Sequence, residues 1–120
     1  MQEDTMPGYL TTHVLDTARG LPAQGVTITL DRVEADGTRT RLAKTRTNAD
    51  GRTDAPILPK DSFATGDYEL VFHAGDYLRA HGAPDTFLDL VPLRFRMAEE
   101  AHYHVPLLLS PFGYSTYRGS

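Results

Sequence analysis

Tyr103-His-Val-Pro-Leu-Leu-Leu-Ser110, running on through Pro-Phe-Gly to Tyr114-Ser-Thr-Tyr-Arg-Gly-Ser120, reads as a strand, a turn and a second short strand. Successive side chains of an extended chain point to opposite faces. Tyr103, Val105, Leu107 and Leu109 therefore share one strongly apolar face, and His102, His104, Pro106 and Leu108 share the other. Terminal residues of a domain ordinarily fray, because they lack neighbours to hold them. An apolar strand and turn that run into the aromatic-basic tetrapeptide Tyr117-Arg118-Gly119-Ser120, with no tail after it, lead to another expectation. This end is expected to be docked and to belong to a site.

The same period of two recurs back along the chain. In Tyr9–Asp16, Leu10, Thr12 and Val14 lie on one side and Tyr9, Thr11, His13 and Leu15 on the other. Val26, Ile28 and Leu30 alternate with Thr27, Thr29 and Asp31, the pattern of a half-buried strand. Asp36-Gly37 marks a hairpin into Thr38–Thr47, and Asp50-Gly51 marks a second turn. Pro56–Ser62 reads as loop; Tyr68–His73, Val91–Met97 and Tyr114–Arg118 read as strands. Ala74–Gly82, with an Asp near its start and a Gly at its end, predicts one helix of about two turns. Seven or eight short strands with frequent turns point to an all-β chain folded as an antiparallel β-sandwich.

Composition narrows the function classes. A chain of 120 residues, 40% hydrophobic and 23% charged, is of a size to form one soluble domain with its own core. A formal charge of −4 argues against nucleic acid or an anionic membrane as partner. No apolar run approaches the ~18 residues of a membrane helix. Cysteine is absent, which excludes disulfides, thiolate catalysis and thiolate zinc sites. The acidic Met1–Gly8 stretch has no apolar core of a signal peptide, so the expected location is cytoplasmic.

The alternation makes a specific statement about the histidines. If the apolar faces line the core, His13 and His104 point away from it. Those outward faces also carry Leu15, Pro106, Leu108 and nearby Tyr114, too apolar for open solvent, so they are expected to meet another subunit. His13, His102 and His104 together supply three imidazoles, the number that holds a catalytic zinc. A metal-free alternative fits equally: two imidazoles sharing one water as base and acid at neutral pH. A nearby arginine would keep them neutral and stabilise negative charge, and Arg52 and Arg118 are the candidates. His73 and His81 read as structural or surface residues. No Gly-rich phosphate loop, G-x-S-x-G elbow or H-E-x-x-H pattern is present.

Read together, four segments are specific. Leu10-Thr-Thr-His-Val-Leu-Asp-Thr17, Asn48-Ala-Asp-Gly-Arg-Thr53, Phe72-His-Ala-Gly-Asp-Tyr77 and His102-Tyr-His through Tyr-Arg-Gly-Ser120 match one pattern. The chain resembles the 5-hydroxyisourate hydrolases, the transthyretin-like proteins of purine catabolism, over nearly everything from about Pro7 to Ser120. The resemblance implies a transthyretin-like sandwich of two four-stranded sheets with one short helix. It implies a homotetramer, a dimer of dimers, with active sites at the dimer–dimer interface. It carries the catalytic roles to His13, His104 and Arg52, and substrate binding to Tyr117, Arg118, Gly119 and Ser120. The family's hydrolases are not known as metal enzymes, so no cofactor and no metal are implied. The implied substrate is 5-hydroxyisourate, and the reaction is hydrolytic opening of its six-membered ring. A transthyretin-like carrier on the same fold is the rival; the carrier lacks the terminal Tyr-Arg-Gly-Ser and the histidine pattern kept here. Residues 1–6 are expected to be a disordered tail and residues 7–120 a single domain of this family.

Overall fold

The computed structural model describes residues 8–119, so the tail expected at residues 1–6 lies outside the described residues. The strands are β1 (Tyr9–Asp16), β2 (Leu21–Pro22), β3 (Thr27–Val33), β4 (Arg39–Arg46), β5 (Gly66–His73), β6 (Leu90–Met97), β7 (His102–Ser110) and β8 (Gly113–Thr116). One α-helix among the described residues, α1 (Ala74–Ala80), follows β5. The strands form two four-stranded sheets, ordered β2-β1-β7-β8 and β4-β3-β5-β6. The sandwich, the hairpin at Asp36-Gly37, the Asp50-Gly51 turn and the short helix all stand where the alternation and turn residues place them. Strand β2 was not anticipated, because two residues cannot display a period.

The inward residues of both sheets fill one core. Leu10 and Val14 of β1, Leu107 and Leu109 of β7, Ile28 and Leu30 of β3, and Tyr68, Leu70 and Phe72 of β5 are fully buried. Burial of each such side chain stabilises the fold by about 1.5–3 kcal/mol. Strand β3 is more than half-buried: Thr29 and Asp31 on its outer side are covered as well. As an interior strand it lies under the stems of neighbouring arginines. Arg41 pairs with Asp31, and Arg39 and Arg94 reach the buried Glu69 at 3.2 and 3.5 Å. Helix α1 is tied to the other sheet by the Tyr77 hydroxyl, which donates to Asp16 at 2.7 Å. His73 precedes α1 and His81 follows it, the latter accepting from Arg19 at 3.0 Å, in keeping with structural roles for both.

One pairing departs from the antiparallel expectation. Strands β1 and β7 run parallel, with Tyr9 opposite His102, Thr11 opposite His104 and His13 opposite Pro106. The remaining strand pairs are antiparallel. Alternation reports which face a side chain takes and says nothing of strand direction, and these two strands lie at opposite ends of the sequence. Pro106 has no N–H to donate, and the β7–β8 ladder begins only at Leu107. The Pro106 carbonyl instead accepts the Thr116 hydroxyl at 2.7 Å. The chain then leaves the ladder at Tyr117 and Arg118 and rejoins at Gly119, whose N–H donates to the His104 carbonyl at 2.7 Å.

The opposite edge of β1 is held by the segment after β4. Leu10 and Leu58 exchange backbone hydrogen bonds at 2.9 and 3.3 Å, and the Val14 N–H donates to the Gly51 carbonyl at 2.8 Å. Gly51 has a φ of +73°, and a Cβ there would lie 2.4 Å from the Val14 carbonyl oxygen. Only glycine both turns left-handed and approaches that closely. Gly51→Ala is therefore expected to cost about 2–4 kcal/mol, from backbone strain plus the clash. Urea unfolding measures it, and a loss below about 0.5 kcal/mol would contradict the close approach.

Candidate active site

Parallel pairing of β1 and β7 gathers Tyr9, Thr11 and His13 with His102 and His104 on the outer face of one sheet. The His13 and His104 ring centroids are 6.4 Å apart, and those of His102 and His104 are 6.3 Å apart. The Thr11 hydroxyl sits between two imidazoles, 2.7 Å from His102 Nε2 and 2.8 Å from His104 Nδ1. His102 stacks on Tyr9, with centroids 4.1 Å apart and planes within 3°.

Arg52 reaches this face because its turn is built to present it. The Asn48 side-chain oxygen accepts the N–H groups of Asp50 and Arg52, at 2.9 and 3.2 Å. This side-chain-braced turn, closed through Gly51, sets Arg52 directly beside His13 in a backbone bridge. The Asp50 carbonyl lies 3.0 Å from His13 Nε2. A carbonyl only accepts, so Nε2 carries the proton and Nδ1 is the bare nitrogen of His13. Arg39, Arg41, Arg79, Arg94 and Arg96 all pair with carboxylates. Arg52 has no such partner among the described residues, so its charge is left to act on the imidazoles.

The electrostatics follow. Burial, then the Arg52 cation, holds the His13 pKa below its ordinary value, with Asp50 opposing in part. Burial, Arg52 and the two neighbouring imidazoles depress His104 in the same direction. Both rings are thus neutral at pH 7. That arrangement can accept a proton from water and steady a developing oxyanion. Among the described residues no group of three His, Cys, Asp or Glu is arranged to hold a metal ion. A hollow of about 160 Å³ lies by Arg52, lined by Thr11, Thr12, Thr53 and Asp54 and by none of the histidines.

The terminal residues divide. Gly119 lies against His104: a Cβ on it would come within 2.8 Å of the imidazole, so glycine alone fits. Arg118 is elsewhere, its guanidinium 4.3 Å over the ring of Tyr103 on the opposite face of β7. Tyr117 is exposed, and with Arg118 it lines a groove of about 270 Å³ between the β6 and β8 edges. Within one chain these two do not join the histidines. Ser120 lies outside the described residues. Thr11 and Tyr9 were not singled out from the sequence; their shared face with His13 was the available signal.

Residues 10–119 match the model of the HIUase/Transthyretin family. The 5-hydroxyisourate hydrolase 2 of Rhizobium meliloti (strain 1021) is 62% identical over 117 residues, which cover 94% of this chain and 97% of that protein. The solved structure of Klebsiella pneumoniae 5-hydroxyisourate hydrolase superposes with a TM-score of 0.80 at 35% identity, over 94% of this chain and 99% of that one. Sea bream transthyretin, in complex with thyroxine, superposes with a TM-score of 0.85 at 30% identity, over 92% and 93%. Both superpose on the sandwich described above. The chain belongs to the HIUase/Transthyretin family.

Proposed function

We propose that this chain hydrolyses 5-hydroxyisourate, opening its six-membered ring to 2-oxo-4-hydroxy-4-carboxy-5-ureidoimidazoline. The observation that carries the reading is the pair of neutral imidazoles, His13 and His104, beside the unpaired Arg52. Relatives that carry the hydrolase name support it, at 62% and 35% identity. The fold alone does not, since a thyroxine-bound transthyretin has it too.

The reaction runs in three moves. His13 accepts a hydrogen bond from a water through bare Nδ1, and His104 takes that water's proton as its oxygen attacks the ring amide carbonyl. Arg52 steadies the charge gathering on the carbonyl oxygen. His104 then returns the proton to the departing nitrogen as the ring C–N bond breaks, so the balance is one water in and none out. Of the terminal residues taken as substrate-binding, Gly119 lets the chain close on His104 and Ser120 follows it. Tyr117 and Arg118, apart from the histidines within one chain, would meet the substrate only through the assembly. No metal or cofactor takes part in this sequence.

The assembly is a homotetramer, a dimer of dimers, with sites at the dimer–dimer interface. Two features support it: the only partly buried Leu15 and Leu108 on the histidine face, and Tyr114 at 45% exposure. Strands β6 and β8 are sheet edges whose outer backbone groups invite pairing. No helix among the described residues is long and apolar enough to cross a membrane. Residues 7–120 act as one domain, and its place is the cytoplasm.

The direct test generates 5-hydroxyisourate in situ from urate and urate oxidase and follows its ultraviolet decay. The chain is expected to accelerate decay and His104→Asn to lose about 10²–10⁴ of the acceleration. No acceleration by protein that runs as a tetramer in light scattering would leave the carrier, and a monomer would contradict the interface reading.

The pH dependence has a definite sign. A base whose pKa lies below the usual 6.5 stays neutral to lower pH, so the acid limb of kcat/KM falls below pH 6.5. Arg52→Met removes the cation that depresses both rings and is expected to move that limb upward. It should also lower kcat about 10²–10³-fold. A limb at or above 6.5 in the wild type, or one unmoved by the substitution, would contradict the electrostatic assignment.

A further inference from the structure

The Thr11 hydroxyl is shared by two imidazoles and has only one proton to give. His104 Nδ1 and His102 Nε2 both lie within hydrogen-bond distance of it, at 2.8 and 2.7 Å. Neutral imidazole carries its single N–H on one nitrogen or the other, and the partner of each nitrogen decides which. From this geometry we propose that Thr11 is a positioning residue that fixes His104 as the Nδ1–H tautomer, with His102 completing the relay behind it. The inference rests on the reading of His104 as the base. A base must present a bare nitrogen to water, and Thr11 occupies Nδ1, so the bare nitrogen is Nε2. Nδ1–H then donates to the Thr11 oxygen.

The rest of the chain of hydrogen bonds follows by counting protons. Having accepted from His104, Thr11 donates its own O–H to His102 Nε2, so His102 carries its proton on Nδ1. His102 is held flat against Tyr9 at 4.1 Å, which fixes the plane in which its Nε2 lone pair points at Thr11. Register makes this a property of the sheet: Thr11 lies opposite His104 and Tyr9 opposite His102 along the parallel pair. A valine in place of Thr11 has nearly the same shape and neither accepts nor donates.

The tautomer is readable without substrate, which separates this inference from the functional reading beneath it. In ¹⁵N-histidine-labelled protein at pH 8, two-bond ¹H–¹⁵N correlations identify the protonated nitrogen of each ring. Wild type is expected to show His104 protonated at Nδ1 and His102 likewise. Thr11→Val is expected to move His104 to the Nε2–H form. It should lower kcat about 10–100-fold with little change in KM, and Thr11→Ser should restore both tautomer and rate. Wild-type His104 protonated at Nε2, or Thr11→Val with tautomer and kcat unchanged, would overturn the proposal. A wild type that shows the Nδ1–H form yet does not hydrolyse 5-hydroxyisourate would overturn the role given to that tautomer in catalysis. The failure would then lie with the hydrolase reading and leave the hydrogen-bond assignment standing.

Discussion

The parallel pairing of β1 with β7 is the constraint on which the site depends. It brings together segments some ninety positions apart, Thr11 with His102 and His104. Both strands are interior to their sheet, and their inward residues Leu10, Val14, Leu107 and Leu109 are wholly buried. The core side of the pair therefore fixes the register of the outer side. A slip of one residue would turn Leu10 and Val14 outward and the histidines inward, at a cost of several buried apolar side chains. The histidines are positioned by packing they take no part in.

The second constraint is electrostatic and comes from the Asn48–Arg52 turn. Asn48 braces the turn, Gly51 passes close under β1, and Arg52 emerges beside His13. A cation near two half-buried imidazoles penalises their protonated forms, and partial burial adds to the same effect. Arg39, Arg41 and Arg94 are spent on carboxylates that cover the outside of the second sheet, with Glu69 and Asp31 as their partners. Arg52 differs from these in making no salt bridge among the described residues.

Much of this was legible in the sequence, and for a physical reason. Faces follow from a period of two, so the outward placement of His13 and His104 and the inward placement of Tyr103, Val105, Leu107 and Leu109 needed only the pleat. Turns follow from Asp-Gly pairs, so Arg52 could be placed at a rigid corner. Strand direction leaves no mark on periodicity, so the parallel pair was missed, and with it the meeting of Thr11 with His102 and His104. The fate of Arg118 was also hidden: it turns on Pro106, whose missing N–H lets Tyr117 and Arg118 leave the ladder, a consequence visible only once β8 is known to pair there. The burial of Asp31 and Glu69 depends on arginines from neighbouring strands, which alternation within one strand does not report.

The central claim is that His13 and His104, held by the paired strands, act on one water as a unit. A double-mutant cycle tests it most directly, with kcat/KM for 5-hydroxyisourate decay measured for His13→Gln, His104→Asn and both together. Groups acting as a unit are strongly non-additive, so the double variant is expected to be about as slow as the slower single. If the two losses multiplied instead, the imidazoles would be acting independently and the account of the site would be contradicted.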